Sequence, residues 1–227
     1  MAEQKGQFAV DTSKRTLKQW ILGMITLLIG LTIAHLGVTL FLLSALGADP
    51  FTVFVEGLSK LLHISIGTCH VAMCIILMVV MAVFTKGYVK PGTIVCAFCG
   101  GWIIDLFMWL LGGLVGSESG FLLRGIALVL GCGILAFGMS IVIKSNSGTG
   151  PNDLVAIILS DYVNRKFTIG FRWVRIVTDA VFVAAGFFMG GIVGVGTVAA
   201  VVLIGPMVQF FLPISGKLIE KCVPGLD

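Results

Sequence analysis

The sequence predicts an all-α integral membrane protein whose six transmembrane helices form two inverted three-helix repeats, each with a short Pro-started helix. Three observations carry this expectation: the composition, the lengths of the apolar runs, and a self-similarity at a nearly fixed offset. Of 227 residues, 58% are hydrophobic and only 11% are charged, and the mean hydropathy is +1.10. Such a balance is that of a membrane protein.

A bilayer core of roughly 30 Å takes about 20 apolar residues per helix. Runs of that size extend from Trp20 to Ala45, Ile66 to Thr85, Pro91 to Val115, Phe121 to Ile143, Ile169 to Gly190 and Val195 to Ile214. The first is longer than the apolar region of a signal peptide and is followed by no small-residue cleavage site, so it is expected to be retained. Within it Gly23, Gly30 and Gly37 suit close helix contact, because helix association in lipid favours small residues. The divisions that follow are a polar N-terminal arm (1–18), a first membrane repeat (19–116), a second (120–216) and a C-terminal tail (217–227).

Orientation follows from Lys and Arg in the short connections. With the N-terminus inside, the inner segments hold Lys5, Lys14, Arg15, Lys18, Lys86, Lys90, Lys144, Arg165, Lys166, Lys217 and Lys221, against Lys60 and Arg124 outside. Both termini are therefore expected in the cytoplasm. The net charge of +4 reflects this topology, and its scatter over several loops and tails gives no nucleic-acid patch.

The repeat is read by sliding the chain by 101 residues, which pairs Ile25 with Ile126, Gly30 with Gly131, Gly37 with Gly138, Gly47 with Gly148, Pro50 with Pro151 and Ser59 with Ser160. Short insertions shift the offset to 103, pairing Ile66-Gly67 with Ile169-Gly170, and then to 104, pairing Gly92-Thr93 with Gly196-Thr197. Collinear matches of this kind mark a duplicated architecture. An odd number of crossings per half makes the second copy enter the membrane from the opposite side.

Each half also contains a Gly-x-x-Pro, in "GADPFTVFVEGLSK" and "GTGPNDLVAIILSD". Proline fits the first position of a helix, and Asp49 or Gly150 before it fits the N-cap. The segment from Pro50 to Leu62 has 13 residues, or roughly 20 Å, too short to span. Asp49, Thr52, Glu56 and Lys60 share one of its faces. Two placements fit: a half-helix dipping in from one side with its N-terminus on a cavity, or an amphipathic helix lying flat at the interface.

These stretches, with "KPGTIVCAFCGGWIIDLF" and "GVGTVAAVVLIGPMVQFFLPI" downstream, resemble the YczE/YyaS/YitT group of bacterial integral membrane proteins, most closely its YczE branch. The resemblance covers nearly the whole chain after Trp20. It implies a multi-pass protein of the bacterial plasma membrane from an uncharacterised family, and it transfers no binding or catalytic residue.

Charge at membrane depth is costly and marks cavities or partners. In "TIGFRWVRIVTDAV" Arg172, Arg175 and Asp179 share one helix face. Arg172 can reach the surface, whereas Arg175 either pairs with Asp179 or holds an anionic group of a solute. Asp105, in "GGWIIDLFMW", is expected at the same depth as Asp179 by rise along its helix, and Gln209 is its repeat partner. His70 and His35 read more simply as an interfacial anchor or packed core residues. The cysteines within the spans, including the Cys96-x-x-Cys99 pair, read as small packing residues.

No catalytic motif is found, so an enzyme is not expected, and neither is a cofactor or metal. The expected function is passage of a small solute or ion, an anion being one candidate, by alternating access. Asp49 and Glu56 would serve the outer side, Asn152 and Asp153 the inner, and Asp105, Arg175, Asp179 and Gln209 the middle. The alternative is a substrate-binding or accessory subunit without transport of its own. The expected partners are the lipid bilayer and the solute, with a homo-oligomer or a partner subunit also compatible.

Overall fold

The computed structural model describes residues 15–85, 88–116, 118–164, 169 and 171–222, without the side chains of Phe171 and Arg172. Lys5, Lys14, Lys86, Arg165 and Lys166 of the charge count lie outside the described residues. The described residues are all-helical: α1 (Leu17–Ser44), α2 (Pro50–Leu62), α3 (Ile66–Phe84), α4 (Pro91–Leu111), α5 (Phe121–Lys144), α6 (Pro151–Asn164), α7 (Phe171–Phe188) and α8 (Val195–Cys222).

Among the described residues, α1, α3, α4, α5 and α8 are long and apolar enough to cross a membrane. Helix α7 has 18 residues and carries Arg172, Arg175 and Asp179, while α2 and α6 have 13 and 14. The outer faces show why the chain needs lipid: Val83, Trp102, Trp109, Val129, Val195 and Phe210 are all exposed. In water so large an apolar surface would drive association, whereas in a bilayer acyl chains cover it.

Local chemistry sets the helix boundaries. Thr16 and Gln19 form a capping box, so α1 starts at Leu17, ahead of the apolar run. Asp49 accepts the Thr52 N–H with Pro50 in the first turn of α2, and Ser65 caps α3 through Thr68 N–H. At the other end of the chain, α8 runs through Pro206 and Pro213 and continues beyond Ile214 to Cys222. Part of the expected tail is therefore helix. It is held by the Ser140–Ser215 hydroxyl pair and by Ile219 packing with Ile141.

Among the described residues, helices α1 and α5 make the most extensive contact. Their backbones cross so closely that a Cβ on Gly37 would strike the backbone of Leu135 and Gly131, and one on Gly138 the backbone of Ala34 and Gly30. Around this crossing Ala34, Val38, Phe41, Leu135, Ala136 and Met139 pack with Ile104 of α4 and Ala200 and Ile204 of α8.

Contacts recur at the offsets read from the sequence. Ala45 and Asn146, which follow α1 and α5, both have positive φ, at 48° and 54°. The carbonyls of Ser44 and Ala45 accept from Arg124, and those of Ser145 and Asn146, 101 residues on, from Arg15, although the two arginines themselves are not at that offset. Gly92 N–H donates to Ser147 O and Gly196 N–H to Leu46 O, both at 2.9 Å. Helix α2 packs on α7, and α6 on α3.

Candidate functional site

Helices α2 and α6 bring their N-termini to one cavity of about 60 Å³ in the interior of the bundle. Asp49, Pro50, Phe51 and Thr52 line it from one helix, and Gly150, Pro151, Asn152 and Asp153 from the other. The remaining wall is His35 and apolar surface of α1, apolar surface of α4, α5 and α8, His70 and Cys74 on α3, and Arg175, Asp179 and Phe182 on α7. Two helix N-termini among apolar helices are acceptable because a cavity with polar and charged side chains in its wall, not lipid, faces them.

The charged wall is an ion triad. Arg175 lies 2.9 Å from Asp153 through Nη1 and 3.1 Å from Asp179 through Nε. The Asp179 pairing is a helix turn apart, as the spacing predicts, while Asp153 arrives from another helix. Two carboxylates thus neutralise one guanidinium in a setting where an unpaired charge is costly.

Across the cavity the polar groups are less satisfied. One oxygen of Asp49, Oδ2, accepts the Thr52 N–H at 3.2 Å. Its Oδ1 is buried without a partner, and so is His70 Nδ1. His35 Nδ1 lies 2.9 Å from Leu31 O, which makes Nδ1 the protonated nitrogen and leaves Nε2 as an acceptor. The rings of His35 and His70 meet edge to face at 5.5 Å, and Phe51 stands edge to face with His70 at 5.3 Å and with Phe182 at 5.4 Å. Gly100 lets the imidazoles sit there: a Cβ at that position would be 2.7 Å from His35 Nε2 and 3.1 Å from His70 Nε2.

Asp49, Asn152, Asp153, Arg175 and Asp179 thus share one cavity, whereas the other three candidates lie elsewhere. Glu56 pairs with Lys60 at 2.9 Å and accepts the Ile192 N–H, and Lys60 donates to Gly190 O. The polar face of α2 beyond its first turn therefore fastens the helix to the α7–α8 connection. Asp105 is exposed and accepts the Gly67 N–H at 3.2 Å, so it caps the start of α3 and does not line the cavity with Asp179. Gln209 is exposed as well. The histidines are the functional candidates that the sequence undervalued. Each reads as a lone packing residue on its own helix, and only the packing of α1 against α4, and of α4 against α3, brings them together.

Residues 21–213 match the model of DUF6198, a family of unknown function. The chain is 29% identical to the uncharacterised protein YyaS of Bacillus subtilis strain 168 over 82% of its length and 90% of that protein's. It is 26% identical to the uncharacterised membrane protein YczE of the same organism, over 86% of this chain and 87% of the other. An uncharacterised Haemophilus influenzae protein is 28% identical, over 85% and 84% of the two chains. No solved structure matches the chain.

Proposed function

The chain belongs to the DUF6198 family, and we propose that this membrane protein carries a small solute by alternating access rather than acting as an enzyme. One observation supports this most: two helices too short to span a bilayer turn their N-termini onto a single polar cavity among the apolar helices. Discontinuous helices that meet at a central site in this way are the ordinary construction of secondary transporters.

The reading includes two inverted three-span repeats, with α7 as the sixth crossing. Its support is the set of contacts that recur at corresponding positions, such as Gly92 to Ser147 beside Gly196 to Leu46. Helices α2 and α6 then act as re-entrant half-helices from opposite faces, with α2 opening outward and α6 inward. The excess of Lys and Arg in the inner connections supports cytoplasmic termini in a bacterial plasma membrane. An anion has less support than the sequence alone suggested, because Arg175 already has two carboxylate partners.

Flux through purified protein in liposomes tests the proposal. The expected result is saturable uptake of at least one labelled small ion or polar solute above that of empty liposomes. Protein-free permeability across a broad panel of such solutes would turn attention to a partner-dependent subunit.

A further inference from the structure

The chemistry of the cavity narrows what it can hold, a step that rests on the transport reading for its biological meaning but not for its test. From the geometry we infer that the cavity is a binding site for a small hydrogen-bond-donating cation of the ammonium or methylammonium class. Among the described residues, Asp49, Asp153 and Asp179 line it against the one guanidinium of Arg175. Each helix N-terminus contributes roughly half a positive charge. Even so, with neutral imidazoles the wall keeps about one negative charge in excess, and an anion would meet it unfavourably.

The unsatisfied atoms specify donors on the ligand. Asp49 Oδ1 is a buried acceptor with no partner, and Asp49 is only 9% exposed. His70, 7% exposed, lines the same space with an unpartnered Nδ1, an acceptor in the tautomer that carries its proton on Nε2, and His35 on α1 lines it too, with Nε2 as its acceptor. An N–H-bearing cation can give these atoms charge-assisted hydrogen bonds, and Phe51 and Phe182 add aromatic surface of the kind that attracts cations. Size sets the other limit. A cavity of about 150 Å³ takes benzene, so on that scale the 60 Å³ here admits roughly two or three heavy atoms.

Equilibrium titration of the detergent-solubilised full chain with methylammonium chloride is the test, beside sodium chloride, tetramethylammonium chloride and sodium phosphate. Saturable binding of methylammonium is expected, with tetramethylammonium, which has no N–H and is larger, bound at least tenfold more weakly. Asp49→Asn keeps a capping oxygen but puts an amide donor on the second position, and is expected to weaken methylammonium at least tenfold. Should that variant not fold, His70→Phe, which keeps the ring and loses both nitrogens, takes its place with the same expectation. No methylammonium binding by the folded chain, equal binding of tetramethylammonium, indifference of the folded variants, or phosphate as the preferred ligand would each overturn the inference. Binding without uptake into liposomes leaves the site standing and removes the transport reading. Uptake of some other solute by a chain that does not bind methylammonium does the reverse.

Discussion

The N-termini of α2 and α6 occupy corresponding positions and face the same cavity, yet their chemistry differs. Helix α2 is capped by Asp49, which spends one oxygen on its own backbone and leaves the other open. Helix α6 follows Gly150 and commits its Asp153 to Arg175. A single backbone plan thus gives one end with an unsatisfied acceptor and one end closed by an ion pair. Function is expected to concentrate at the first and stability at the second.

Arg175→Ala breaks this comparison most severely, because it strands two largely buried carboxylates. The expected loss is about 3–5 kcal/mol of stability, seen as early thermal unfolding in detergent. A variant as stable as the wild type would mean that the triad is well hydrated. Next in size is Gly37→Leu, which forces side-chain atoms into the backbone of α5. Overpacking of this kind costs on the order of 1–3 kcal/mol, read by the same unfolding assay, and this variant should disturb both helix ends equally. Asp49→Asn is expected to change stability by less than about 1 kcal/mol, since Asn caps as well as Asp, while cation binding fails. Loss of stability with binding intact would reverse the roles assigned to the two ends. Smallest in stability and binding together is Glu56→Gln, which keeps an amide oxygen for the Ile192 N–H and loses only the charge facing Lys60, whose side chain is 46% exposed against 10% for Glu56. With Lys60 free to turn to solvent, the expected cost is on the order of 1 kcal/mol, while methylammonium binding should stay near wild type.

The short helices were legible because their signals are local. Proline after a capping residue fixes a helix start, and a count of residues shows that the segment cannot span. The pairing of Arg175 with Asp179 was legible for the same reason, being one turn along a single helix. That Asp105 does not join the cavity was not legible, because rise along α4 gives distance along one axis and says nothing of the facing direction. Its position is set by Gly67 at the start of α3, 38 residues away in sequence. Gln209, placed by its correspondence with Asp105, is exposed as Asp105 is: neither helix period nor offset says which face meets the cavity. On α2 the polar face was visible, but its partner, the α7–α8 connection, lies far along the chain. His35 and His70 likewise acquire meaning only when two helices meet over Gly100.

The claim that this cavity opens to both faces of the membrane in turn is tested most directly by a cysteine at Thr52, in a chain whose own six cysteines are replaced. Reconstituted with known orientation, it would be treated with an impermeant thiol reagent from one side at a time. The account predicts labelling from each face, with a bound solute slowing both. Labelling from a single face under every condition, with or without solute, would contradict alternating access and leave the cavity as a binding pocket with one door.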